Sequence, residues 1–303
     1  MPVAIPYVRS FEFAYGPPAR LSPRLERVVC ENPGPFTFTG TNTYLVGRES
    51  GAVAVVDPGP DDDRHLNALL AAIGGRPVSH ILLTHTHRDH APLAASLAAR
   101  VGAPILAAPA PPVETHASGG DEGDVQGFRP DQVLTDHDRV VGDGWTLAVV
   151  ATPGHASNHL CFALEEENAL ICGDHVMGWS TTVVAPPDGD MADYMRSLDR
   201  AIAGDYARLY PAHGAPIEDV APFLAAYRTH RLEREAQILA ALEGGAERIL
   251  DILARLYSEV DRRLWPAASL SVLAHLIKLA REGRVTALPA PTLDAAYSLA
   301  VRP

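Results

Sequence analysis

The chain reads as an α/β protein: strands packed as a sandwich, one edge crowded with histidines and aspartates, and a small helical unit appended. Three observations predict this. The first hundred residues alternate strand-like and helical patterns. His85, His87, Asp89, His90, His155, Asp174 and His213 each fall at or just after the end of an apolar, strand-like run. Beyond Ile217 the apolar residues take up helical spacing.

Residues 1–35 are rich in proline and glycine, with strand-like pieces at Phe11-Glu12-Phe13 and Arg27-Val28-Val29-Cys30. Residues 41–46 and 52–56 read as a hairpin turning at Glu49-Ser50-Gly51. Asp57 ends its second strand, where Pro58-Gly59 breaks the pairing. Residues 61–73 have helical spacing, and their leading aspartates suit a helix's positive end. An apolar strand over 78–84 then runs into His85-Thr86-His87-Arg88-Asp89-His90, and a helix follows over 91–100.

Residues 107–135 form a polar loop region that holds His116, Asp121, Asp124 and Asp131. Neither these nor Asp136-His137-Asp138 have a strand end to aim them inward, so a loop over the site is the expected role. Residues 140–151 read as two strands about Gly142-Asp143-Gly144, the second delivering Thr152-Pro153-Gly154-His155. A hairpin over 160–164 and 169–172 ends at Gly173-Asp174. It places Cys161 and Cys172 on neighbouring strands, and with Cys30 they are expected to be buried, reduced thiols. A helix over 191–202 and a short strand over 206–210 lead to Pro211-Ala212-His213.

Residues 218–242 are one long helical pattern closed by Gly244-Gly245. Two amphipathic helices follow over 247–257 and 269–282, the second with a core-facing stripe of Leu270, Leu273, Leu276, Ile277 and Ala280. Three helices and a strand-like end predict a small winged helix. The expected division is a catalytic unit over 1–217, a connecting helix over 218–245 and a winged-helix-like unit over 246–303.

The chemistry concentrates in the first cluster. His85 and His87 lie two apart, so an extended backbone aims both imidazoles to one side, and Asp89 and His90 follow where the chain turns into a helix. One or two divalent cations explain three imidazoles and a carboxylate packed this closely, and such ligands suit zinc best. His155, Asp174 and His213 each follow an apolar run and lie beside a glycine that lets the backbone turn and present a ligand.

Thr84-His85-Thr86-His87-Arg88-Asp89-His90, followed by His155, Asp174 and His213, resembles the ligand set of the metallo-β-lactamase superfamily over about residues 42–230. The resemblance implies a four-layered αβ/βα sandwich with a dinuclear site. His85, His87 and His155 would hold one ion, Asp89, His90 and His213 the other, and Asp174 would bridge them. Asp57 matches the aspartate that orients a ligand imidazole from behind. A metal-bridging hydroxide is then the expected nucleophile, with Asp89, Asp174 and His155 as the catalytic residues. Zinc is expected, and manganese or iron are alternatives. Trp179, Ser180, Thr181 and Thr182, with Asn158 and His159, are candidate substrate contacts. True β-lactamases of the superfamily depart at the Asp89-His90 pair or at the Asp174 position. Its large nucleases insert a domain where only 38 residues separate Asp174 from His213 here.

The appended module resembles the branch of the superfamily that includes endoribonucleases. Single-stranded RNA is therefore the first substrate expectation, with Arg228, Arg231 and Arg234 on one helix face, and Arg281 and Arg284, as phosphate contacts. A small thioester or lactone is the alternative, as in hydroxyacylglutathione hydrolases. A winged helix reading DNA is a third reading. A net charge of −12 opposes it, although the 11 basic and 9 acidic residues from Ala225 onward leave that part near neutral. A packing or homodimer module is the preferred role for the winged helix. No run reaches membrane-spanning length and no basic-then-apolar leader opens the chain, so no membrane partner and a cytoplasmic location are expected.

Overall fold

A computed structural model of the chain describes residues 3–111, 125, 127–258 and 261–300. His116, Asp121 and Asp124 lie outside the described residues. Seven strands form the first sheet in chain order: β1 (Ala19–Ser22), β2 (Leu25–Val29), β3 (Asn42–Val46), β4 (Val53–Val56), β5 (Val78–Leu82), β6 (Ile105–Ala107) and β7 (Gln132–Val133). Neighbours are antiparallel as far as β4 and parallel from there on. Parallel neighbours need crossovers, and α1 (Asp63–Ile73) and α2 (Leu93–Val101) supply those from β4 to β5 and from β5 to β6. As the leading aspartates predict, Asp62 caps α1 by accepting from the Arg64 and His65 amides.

The second sheet has the order β12-β11-β10-β9-β8. Its members are β8 (Arg139–Gly142), β9 (Trp145–Ala151), β10 (Leu160–Leu164), β11 (Ala169–Gly173) and β12 (Arg208–Pro211), with only the β11–β12 pair parallel. Between the sheets Leu25, Val56 and Leu82 meet Leu147, Phe162 and Ile171. Leu66, Leu69 and Leu97 of α1 and α2 cover the outer face of the first sheet. Over the second lie α3 (Met191–Ala203) and the front half of α4 (Val220–Glu243). The result is the expected helix–sheet–sheet–helix sandwich, with ligand-bearing strand ends along one edge.

Residues 249–299 hold α5 (Ile249–Leu256), α6 (Trp265–Arg281) and the antiparallel wing of β13 (Val285–Leu288) and β14 (Ala296–Leu299). Their core also takes in Ile238, Ala241 and Leu242, so α4 is no free connector. Its front half (Val220, Phe223, Tyr227) belongs to the sandwich and its rear half to the winged helix.

Several local expectations differ. Phe11-Glu12-Phe13 is not a strand; its rings form an aromatic run with Tyr15 and Phe38 instead. The short strands β1 and β7 carry too few apolar residues to be read in advance. α6 starts a turn early because Pro266 sits in its first turn, where a missing N–H is harmless. Cys161 and Cys172 are free, buried thiols on neighbouring strands, as expected, with Cys161 Sγ 3.6 Å from the Cys172 carbonyl. No helix among the described residues is long and apolar enough to cross a membrane.

Candidate metal centre

All seven candidate ligands meet at the edge formed by the ends of β5, β9, β11 and β12. They fall into two groups, His85 with His87 and His155, and Asp89 with His90, Asp174 and His213, whose ligand atoms lie within 4.8 Å of one another inside each group. His87 Nδ1 faces His85 Nε2 at 3.0 Å and His155 Nε2 at 3.1 Å. Asp174 touches both groups. Its Oδ2 is 3.6 Å from His155 Nε2 and from His90 Nε2, while Oδ1 is 3.3 Å from His213 Nε2. Asp89 Oδ2 is 3.3 Å from His90 Nε2 and 3.1 Å from His213 Nε2.

The far nitrogens decide what the near ones offer. The Asp57 carboxylate accepts from the Thr84 amide and the Thr84 hydroxyl, both at 2.7 Å. With its proton committed there, Thr84 Oγ1 accepts from His85 Nδ1 at 3.0 Å. Asp57 also takes His90 Nδ1 at 3.0 Å, so one buried carboxylate orients two imidazoles. His155 Nδ1 donates to the Val183 carbonyl at 2.7 Å and His213 Nδ1 to the Gly40 carbonyl at 3.2 Å. Each of these four rings spends one N–H on the far side and turns its Nε2 to the centre, the orientation a metal ligand needs.

The electrostatics divide the same way. Burial pushes His87 down to about 3 and His85 well below the ordinary imidazole range, so both of these rings are neutral. Burial would also lower His90 and His213, but the carboxylates outweigh it. Asp89, Asp174 and Asp57 hold His90 well above its usual value, and Asp174 with Asp89 lifts His213 to about 10. Burial would raise Asp89 and Asp174 in turn, and the facing histidines hold both well below the carboxylate range instead.

Protons alone do not satisfy this arrangement. His90 Nε2 and Asp174 Oδ1 are buried with no hydrogen-bond partner among the described residues. One proton on His87 Nδ1 cannot serve two imidazoles at once. Buried orphaned donors and acceptors are costly, and divalent cations would satisfy every one of them together. The donor set therefore fits a dinuclear metal centre.

Behind and beside the cluster, three of the candidate substrate contacts are buried in hydrogen bonds to the protein. His159 is buried, its Nδ1 2.8 Å from Thr152 Oγ1 and its Nε2 accepting from the Asp174 amide, so it props Asp174 from behind. Thr182 is also buried, its hydroxyl donating to the Asp174 carbonyl at 2.9 Å. Asn158 is buried as well and donates to Thr86 Oγ1. Ser180 and Thr181 do border the cleft beside His155 and Asp174, with Pro35, Phe36, Met177, Trp179 and Val183 as the remaining walls. The Pro35 and Phe36 wall went unforeseen because no motif marks it.

The look-alike acids lie elsewhere. Asp131 accepts from the Ile105 amide, Asp136 pairs with Arg200, His137 is exposed, and Asp138 accepts from Thr135. The arginines offered as phosphate contacts each have a partner within the protein, although Arg228, Arg281 and Arg284 stay at the surface. Arg228 pairs with Asp199, Arg231 is buried against Thr182 and Tyr194, and Arg234 lies over Tyr257. Arg281 pairs with Asp190, and Arg284 with Glu235 and Glu282.

Residues 36–213 match the family model described as metallo-beta-lactamase superfamily, and residues 249–290 match the beta-lactamase associated winged helix domain. The chain is 33% identical over 272 residues to the beta-lactamase-like protein 2 homolog of Caenorhabditis elegans, covering 89% of this chain and 88% of that one. It is 31% identical over 293 residues to an atrochrysone carboxyl ACP thioesterase of Pseudocercospora fijiensis, covering 92% and 81%. The crystal structure of a metallo-beta-lactamase family protein of Thermus thermophilus superposes with a TM-score of 0.74 at 26% identity, over 92% of this chain and all of that one. With its sandwich, its His/Asp centre and its C-terminal winged helix, the chain belongs to the metallo-β-lactamase superfamily of hydrolases.

Proposed function

We propose that the chain hydrolyses an apolar acyl thioester with two divalent cations, zinc in the first instance. His85, His87 and His155 would hold one ion, Asp89, His90 and His213 the other, and Asp174 would serve both. Ions held this way lower the pKa of water toward neutrality and stabilise the oxygen of an attacked carbonyl. The remaining work falls to the chain itself. Asp57 keeps His90 turned, and through Thr84 it keeps His85 turned. His159 and Thr182 fix the Asp174 backbone. Asp89 has the larger exposed edge of the two central carboxylates, 14% against 7%, and aligns the attacking water. Pro35, Phe36, Met177, Trp179 and Val183 exclude water from the acyl group, while the Ser180 and Thr181 side chains serve its polar end.

The observation that carries this reading over RNA cleavage is the fate of the arginines. RNA binding needs unpaired cations along the path of the backbone. Arg228, Arg231, Arg234, Arg281 and Arg284 all have acidic, carbonyl or aromatic partners within the protein. Pro35, Phe36, Met177, Trp179 and Val183 give the cleft an apolar side opposite its polar one, and one relative is named as a thioesterase. The test is a parallel assay of metal-quantified protein on an acyl thioester, a lactone and single-stranded RNA. We expect thioester turnover that falls by a factor of about 1,000 or more in Asp174→Ala, with metal content falling alongside. RNA cleavage lost in that variant, without thioester turnover, would reinstate the ribonuclease reading.

A further inference from the structure

Helix α4 passes directly behind the segment over 177–183, which carries one wall of the cleft and has neither helical nor strand pairing of its own. Tyr227 projects from α4 into that segment and is fully buried. Its hydroxyl donates to the Ser180 carbonyl at 2.8 Å and accepts from the Thr182 amide at 2.8 Å. The Met177 amide at 3.3 Å and the Thr182 hydroxyl at 3.2 Å complete its surroundings. One turn on, buried Arg231 donates to the Thr182 carbonyl and lies over the Tyr194 ring at 5.0 Å. Two side chains of one helix thus satisfy four backbone groups of a segment that would otherwise bury them unpaired.

The same segment reaches the metal centre at two points. Thr182 Oγ1 donates to the Asp174 carbonyl, and the Val183 carbonyl receives His155 Nδ1. We propose that Tyr227 and Arg231 are positioning residues, a clamp from α4 that sets the cleft wall and, through Thr182 and Val183, the aim of Asp174 and His155. The rear half of α4 is part of the winged-helix core, so the appended unit anchors the clamp. This gives the C-terminal module a catalytic purpose that requires no nucleic acid. Groups that orient metal ligands are typically worth tenfold to a hundredfold in affinity or activity.

Tyr227→Phe removes one oxygen and leaves the ring stacked on Phe223, 5.6 Å away. Arg231→Met keeps an unbranched apolar stem, and Arg231→Lys restores a donor. Amide exchange followed by mass spectrometry on the metal-loaded full chain reads the clamp without turnover, so failure of the thioester reading does not touch it. Exchange over 177–183 should quicken by about tenfold in Tyr227→Phe and Arg231→Met, with β9 and β10 unchanged and Arg231→Lys partly restored. The visible absorption of the cobalt-substituted protein should shift in the same two variants, because it reports ligand geometry at the metal. Exchange over 177–183 that stays as in the parent, or that rises equally throughout 220–299, would overturn the clamp. An unchanged cobalt spectrum would overturn its reach to the ligands.

Discussion

At the scale of single residues, the centre depends on acceptors that stand one bond behind the ligands. Asp57 is the clearest case. Its two oxygens accept two bonds from Thr84 and one from His90. In Asp57→Asn one of those oxygens becomes a donor aimed at another donor. Shape and volume are kept while the orientation of His90, and through Thr84 that of His85, is lost. Zinc affinity should fall by roughly tenfold to a hundredfold, with far-ultraviolet circular dichroism unchanged. Competition against a chromophoric chelator measures it, and parental affinity in this variant would remove Asp57 from the ligand-orienting role.

At the scale of elements, the ligands are delivered by strand ends whose glycines permit close approach. Gly154, just before His155, has φ 140°, and a Cβ there would lie 2.3 Å from the Tyr194 Cα in the first turn of α3. Backbone cannot yield as a side-chain tip can, so Gly154→Ala should cost about 3 kcal/mol or more in denaturant unfolding. Gly102 ends α2 with φ 72° and nothing within 4 Å, so Gly102→Ala should cost only the conformational strain, about 1 kcal/mol. Equal losses would mean that the α3 contact is irrelevant. This is also the scale at which the sequence was most legible. Apolar runs ending in Gly173-Asp174 or Pro153-Gly154-His155 announce a strand and its ligand, because side-chain type and spacing carry that information. The Val183 and Gly40 carbonyls that aim His155 and His213 are backbone atoms, and no residue type marks them. Likewise, helical spacing places Arg228, Arg231 and Arg234 near one face of α4 but says nothing of what that face meets. It meets protein, and Arg231 is buried there.

At the scale of the whole molecule, α4 and α6 join the sandwich to the winged helix through a buried polar junction, and that junction gives the protein a pH dependence. His275 of α6 is fully buried, and neither ring nitrogen has a hydrogen-bond partner among the described residues. The nearest acid, Glu235 of α4, is 3.6 Å away and is already held by Lys278 at 2.8 Å. Burial pushes the His275 imidazole down to about 4, with Glu235 only partly opposing it. The folded form therefore keeps this ring neutral at pH values where the unfolded chain, with an ordinary histidine near 6.5, takes up a proton. Stability is complete above about 6.5 and is lost as the pH falls toward 4, by about 2 kcal/mol at pH 5 and about 3 kcal/mol in full. His275→Gln has no proton to take up, so its stability relative to the parent should rise by about 2 kcal/mol between pH 7 and pH 5 in urea unfolding. Groups that do not face His275 cancel from that difference; Glu235 and His230, which do, add only a smaller change to it. A difference that stays constant with pH would place the acid sensitivity elsewhere than at this junction.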